Sequence, residues 1–248
     1  MLYSGLVSVT FRQKSPEEII ELAAKAGLNA IEWGGDVHVP VGDLARAKAI
    51  GDATREAGLT VASYGSYYKA GYGQSFADVL ETAKALKAPS IRIWAGDKGS
   101  DKADEAWWKA VVEDTKAAAA SAGEAGIRIA FEFHANTLTD GTAETLRLLE
   151  LVGNEAVATY WQHKPEFNTG ENLDSLRKLA PQLSNVHVFH WEPGIQLPLS
   201  DGIEPWRIYI DALQALEGDR YLLMEFVKDG LAEQFLEDAE VLKGLLTL

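Results

Sequence analysis

Residues 127–152 read IRIAFEFHANTLTDGTAETLRLLELV. The apolar run 127–132 has strand length and ends on Glu132, with His134 just beyond; after a polar turn, 142–152 carries apolar residues at helical spacing. This strand-then-helix unit recurs along the whole chain. Strands are expected near 3–9, 29–33, 59–64, 90–94, 127–132, 156–161, 185–190 and 220–225, and helices near 16–26, 41–57, 75–87, 102–125, 142–152, 172–180, 204–216 and 231–246. A βαβα rhythm implies a parallel sheet. Eight such pairs in 248 residues suit the roughly 250 residues of one (β/α)8 barrel. The expected fold is therefore α/β, a single TIM barrel domain over residues 1–248. An open doubly wound sheet has little support, because no G-x-G-x-x-G follows the first strand.

Boundary residues agree with this count. Ser15-Pro16-Glu17-Glu18 offers a cap, a proline at the first helical position and a glutamate two residues after it. Gly27, Gly58 and Gly126 stand between a helical stretch and the next strand, as helix-ending glycines do.

Composition narrows the function classes. With no cysteine, disulfides and thiolate ligands are excluded, so any metal binds through nitrogen and oxygen. A net charge of −14 opposes the phosphate neutralisation that nucleic acid requires and opposes docking on anionic membranes. The start MLYSGLVSVTF lacks the basic and long apolar parts of a secretion signal, and no run reaches the roughly 20 apolar residues of a spanning helix. A cytoplasmic protein with a small-molecule partner is expected; assembly into a homo-oligomer stays open.

The chemistry concentrates at the strand ends. All five histidines, His38, His134, His163, His187 and His190, fall at or just after an apolar run, and Glu132 and Glu225 close two of them. If the strands are parallel, these groups meet on the rim where such barrels hold their sites. Polar groups there are costly unless paired or metal-bound.

At these strand ends the chain resembles the sugar phosphate isomerase/epimerase superfamily, the xylose isomerase-like barrels that include ketose 3-epimerases and inosose dehydratases. The resemblance is carried by GLVSVTF, GLNAIEWGGDVHVP, SYGSYY, IRIWAG, AFEFHANTLTDGTAETLRLL, SNVHVFHW and the final Glu225-Phe226 pair. It implies a divalent metal, Mn, Mg, Co or Zn, held by Glu132, Gln162, His187 and Glu225. Gln162 departs from the superfamily, which has an aspartate there. An amide oxygen can coordinate but adds no charge, so weaker metal retention is expected; loss of metal in this lineage, or coordination by His163 or His190 instead, is the alternative. The resemblance further implies that Glu132 and Glu225 are the catalytic acid and base, abstracting a proton α to the carbonyl of a sugar or polyol through an enediolate.

Around this centre, Glu32, Trp94, Arg92, His134, His163, His190 and Tyr67 are expected to contact substrate. Each has a structural alternative. Glu32 can pair with Arg12 or Arg92, and Arg92 can serve as an ion-pair partner rather than an anion hook. Period-two alternation puts His187 and His190 on opposite faces of one strand. His38 is expected in an exposed loop. Trp33, Trp94, Trp161 and Trp191, with Tyr64, Tyr67 and Tyr68, offer apolar walls for a sugar. Among functions, a metal-dependent sugar isomerase or epimerase leads, ahead of an inosose-type dehydratase and a non-catalytic sugar-binding barrel.

Overall fold

A computed structural model describes residues 1–247; Leu248, the last residue of the expected domain, lies outside the described residues. Eight parallel strands close a barrel: β1 (Leu2–Val7), β2 (Ala30–Gly34), β3 (Thr60–Lys69), β4 (Ser90–Trp94), β5 (Arg128–Phe131), β6 (Val157–Trp161), β7 (Leu183–Val188) and β10 (Arg220–Met224). Around the barrel the order is β1, β10, β7, β6, β5, β4, β3, β2, so each strand pairs with its neighbours in the barrel sequence and β10 meets β1. The strands are separated by α1 (Pro16–Lys25), α2 (Leu44–Glu56), α3 (Phe76–Leu86), α4 (Glu105–Glu124), α5 (Thr142–Val152), α6 (Thr169–Leu179) and α7 (Ile203–Gln214); α8 (Ala232–Leu246) closes the chain. The expected fold class is the observed one.

Local sequence explains the helix ends. Ser15 and Glu18 form both halves of a capping box on α1 with Pro16 at the first position. Asn168 and Glu171 form a second, which starts α6 three residues before the expected 172. Gly27, Gly58 and Gly126 have φ of 67°, 78° and 71°, the left-handed conformation that ends a helix.

Two local expectations fail for identifiable reasons. The strand expected over 3–9 stops at Val7, and Ser8–Phe11 forms a 3-10 turn. Ser8 Oγ accepts from the Gly34 amide at 2.8 Å, so a tertiary contact overrides the β-branched pattern. The strand expected over 185–190 spans Leu183–Val188, and His190 instead opens an unforeseen hairpin, β8 (His190–Glu192) with β9 (Ile195–Leu197), antiparallel and turned by Pro193-Gly194.

Apolar side chains fill two layers. The larger lies between barrel and helices; the smaller fills the lumen with Val7, Val9, Ala30, Ala62, Ala130, Tyr160 and Leu223. The three lumen alanines leave room for a polar layer above them. Among the described residues, no helix is long and apolar enough to cross a membrane.

Candidate active site

Glu132 and Glu225 each stand one residue past a strand, yet both continue its ladder. The Glu132 amide donates to Ile93 O at 2.9 Å and the Glu225 amide to Val188 O at 3.0 Å, so the sheet fixes both backbones. His187 lies within β7, in register with Leu223. One ligand atom from each of Glu132, His187 and Glu225 lies within 4.8 Å of the others, and all three residues are buried. His187 Nδ1 is 3.1 Å from Glu225 Oε2 and 3.3 Å from Gln162 Oε1, so the residue expected as the fourth ligand reaches the same point.

Beneath this triad lies a second buried layer. Arg92, 2% exposed, donates from Nε to Glu32 Oε1 at 2.6 Å and from Nη1 to Glu132 Oε2. Trp94 Nε1 donates to that same Glu132 oxygen at 2.5 Å. Glu32, with no exposure, accepts on Oε2 from Ser63 Oγ at 2.5 Å and from the Tyr160 hydroxyl at 2.8 Å. A Cβ on Gly65 would lie 2.7 Å from Arg92 Nη2 and 3.1 Å from Glu32 Oε1; the missing side chain makes room for the ion pair.

The charges set one another. Burial pushes Glu32 up, but Arg92 and His187 outweigh it and hold the carboxyl well below its usual range. Burial likewise opposes ionisation of Glu225, yet His187 and Arg92 keep it below its ordinary value. For His187 burial acts downward, while Glu225 and then Glu32 lift it from 6.5 to about 10. Three carboxylates (Glu32, Glu132, Glu225) thus face two cations, Arg92 and the His187 imidazolium, leaving one negative charge (3 − 2). A divalent cation against neutral His187 would balance the group, since Arg92 and the ion together carry three positive charges. On donor type, distance and charge, the residues fit such an ion.

Tyr67, Trp94 and His134 reach a cavity of about 270 Å³ above the triad, whose other walls include Arg12, Phe189, Trp191 and Phe226. Trp94 and His134 stack with centroids 4.6 Å apart. Tyr67, at φ 57°, accepts from Arg12 Nη2 at 2.9 Å, and burial raises its hydroxyl to about 12. The cavity shares His134, Gln162, Phe189 and Trp191 with a cleft of about 430 Å³ under the β8–β9 hairpin, which His163 and Lys164 also line. His163 Nε2 sits 3.2 Å from Trp191 O, and burial drives the ring down to about 4, so it is neutral at pH 7.

Several expected positions are elsewhere. Glu32 and Arg92 do not line the cavity; they form the layer beneath it. His190 faces a separate groove with Trp206 and Tyr209, its ring against Gly202, because the hairpin carries it away from β7. Arg12 pairs with Asp36 at 2.5 Å, not with Glu32. Trp33, Trp161 and Tyr64 are core residues of the outer layer, leaving Trp94, Trp191 and Tyr67 as the aromatic walls. Arg12 and Phe226 as cavity walls, and Ser63, Tyr160 and Asn185 as supports, were not expected. Phe226 escaped a period-two reading because φ of 60° breaks the alternation after Glu225.

His38 is not exposed. It is fully buried, with Nδ1 3.0 Å from Ser8 Oγ and Nε2 3.2 Å from Lys14 O. Burial lowers its pKa from 6.5, so on acidification the unfolded chain takes up this proton first. The stability contributed by neutral His38 is whole above pH 6.5 and falls away below it. His38→Gln is expected to flatten the decline of Tm between about pH 7 and pH 5, measured by calorimetry; a decline as steep as the parent's would refute this.

The family model for xylose isomerase-like TIM barrels matches residues 20–245. The chain belongs to that family. Among solved structures of xylose isomerase-like and related barrels, it is similar to the probable 3-DHS dehydratase AsbF of Bacillus anthracis, at 20% identity and a TM-score of 0.82, covering 98% of this chain and 99% of that one. It is similar to the D-psicose 3-epimerase of Clostridium cellulolyticum H10, at 14% identity and a TM-score of 0.76, covering 98% and 99%. It also matches the IolI protein, whose structure holds a zinc atom, at 13% identity and a TM-score of 0.74, covering 99% and 98%. These likenesses concern the fold. No curated protein matches by sequence.

Proposed function

We propose that the protein is a divalent-metal-dependent sugar isomerase or epimerase that moves a proton on the carbon next to a carbonyl. The observation that carries this reading is the convergence of two buried carboxylates and one imidazole, ligand atoms within 4.8 Å, on the floor of an aromatic-walled cavity. Glu132, Gln162, His187 and Glu225 would hold the ion, an oxygen-rich set with one nitrogen that suits Mg, Mn, Co or Zn. The ion's chemistry there is to polarise the substrate carbonyl and to stabilise the negative charge that develops on its oxygen.

The chain's own residues supply the rest. Arg92 and Trp94 occupy Glu132 Oε2, leaving Oε1 for the centre. Glu225 comes from β10 and Glu132 from β5, three strands apart around the barrel, so they approach a bound substrate from different directions. One can take the proton and the other return it. Tyr67, Trp94, Trp191 and Phe226 offer apolar faces to the carbon skeleton and exclude water.

A dehydratase of the same proton-abstracting kind is the second reading, favoured by the TM-score of 0.82 to a probable dehydratase. Incubating the protein with a panel of ketoses in heavy water, with and without added Mn²⁺, tests both. Exchange at the carbon beside the carbonyl that a chelator stops supports the isomerase or epimerase. Loss of water supports the dehydratase, and sugar binding without exchange overturns both.

Gln162→Asp adds a charged ligand where the amide oxygen now stands. It is expected to tighten Mn²⁺ binding on the order of tenfold, about 1.4 kcal/mol, by calorimetry. Unchanged or weaker affinity would remove Gln162 from the ligand set.

A further inference from the structure

We infer that Glu32 is a positioning residue that receives the Nε2–H of His187 and so turns Nδ1 toward the cation; this rests on the metal-dependent reading above. His187 has two ring nitrogens in different surroundings. Nδ1 faces Glu225 and Gln162, the ligand side. Nε2 is buried and, among the described residues, has no hydrogen-bond partner. It faces Glu32 Oε1 at 3.6 Å, a few tenths of an ångström beyond a hydrogen bond. A histidine that ligates a metal through one nitrogen donates its other N–H to a carboxylate or carbonyl, which fixes tautomer and ring orientation. Glu32 is the carboxylate on that side of the ring.

Glu32 is itself held from the backbone outward. The Tyr221 amide on β10 donates to Asn185 Oδ1 at 3.0 Å, and Asn185 Nδ2 donates to the Tyr160 hydroxyl at 3.0 Å. That hydroxyl donates to Glu32 Oε2 at 2.8 Å, beside Ser63 Oγ at 2.5 Å. Arg92 Nε fixes the other oxygen at 2.6 Å. The Tyr160 ring meets His187 edge-on, centroids 5.0 Å apart, and resists rotation of the imidazole. The carboxylate beneath the ring is therefore set before any ion arrives. Glu32 touches neither the cavity nor the substrate space, so its part is to aim His187.

The test uses the whole chain as parent, Glu32→Gln and Glu32→Asp. Mn²⁺ affinity is measured by calorimetry, and the His187 tautomer by ¹⁵N NMR of histidine-labelled protein loaded with Zn²⁺; thermal melting reports folding. Glu32→Gln keeps the shape and removes the charge. Glu32→Asp keeps a charge beside Arg92 and withdraws the carboxylate from His187 by one methylene, so it serves if the first variant fails to fold. The parent is expected to carry its proton on Nε2 and the metal on Nδ1, and either variant to bind Mn²⁺ roughly 10–100-fold more weakly. A folded variant that binds Mn²⁺ as tightly as the parent, or a parent with Zn²⁺ on Nε2, overturns the inference. A parent that binds neither ion overturns the metal-dependent reading and this inference with it, which separates the two failures.

Discussion

Glu225→Gln and Glu132→Gln are each expected to abolish incorporation of solvent deuterium into substrate, with turnover lower by roughly 10²–10⁴-fold, the range of general acid–base catalysis. Glutamine preserves volume and one acceptor but cannot hold or release a proton. Glu225 has its Oε2 against His187 and stays ionised through that contact, which makes it a proton acceptor at neutral pH. Glu132 has one oxygen engaged by Arg92 and Trp94, so only the other is free to take part. Both residues are also candidate ligands, and metal content must be measured on the same samples. A variant that keeps its metal and loses exchange establishes the acid–base role, whereas persistent exchange in either one removes that residue from it.

Arg92→Met is expected to destabilise the fold by about 3–5 kcal/mol, because it leaves Glu32 and Glu132 buried beside each other without their cation. For a chain of this size the fall in Tm is on the order of 10 °C by calorimetry. The burial of all three groups decides the magnitude, since an exposed pair would be worth less than about 1 kcal/mol. The double variant Glu32→Leu with Arg92→Met removes charge from both sides. It is expected to be less destabilised than the two single changes added together, the signature of coupled partners. Additive losses would show that Arg92 acts through packing alone.

Much of this was legible in one dimension. Eight strands and eight helices were expected, and eight barrel strands and eight α-helices form among the described residues, because period and boundary chemistry are local signals: the capping box at Ser15 and the glycines at 27, 58 and 126 act within a few residues of themselves. The clustering of Glu132, Gln162, His187 and Glu225 was legible too, since a parallel barrel delivers every strand end to one rim. His190 was misplaced because the end of β7 depends on a hairpin that sequence spacing does not reveal. His38 was misread as exposed because its burial comes from Ser8 and Lys14, both in the segment that follows β1.

Pattern along the chain determined the class of fold, the order of its elements and which side chains gather at the mouth, since helix and strand periods and the direction of parallel strands are properties of short segments. Which of those side chains face substrate and which lie beneath was decided only in three dimensions. Glu32 and Arg92 are the middle residues of β2 and β4, whereas Glu132 and Glu225 stand one residue past β5 and β10; the bulge between Ile31 and Glu32, the missing side chain at Gly65 and the small alanines of the lumen give the two room to pair below the triad. Depth within a closed barrel arises from register and packing between strands distant in sequence, and no single segment encodes it.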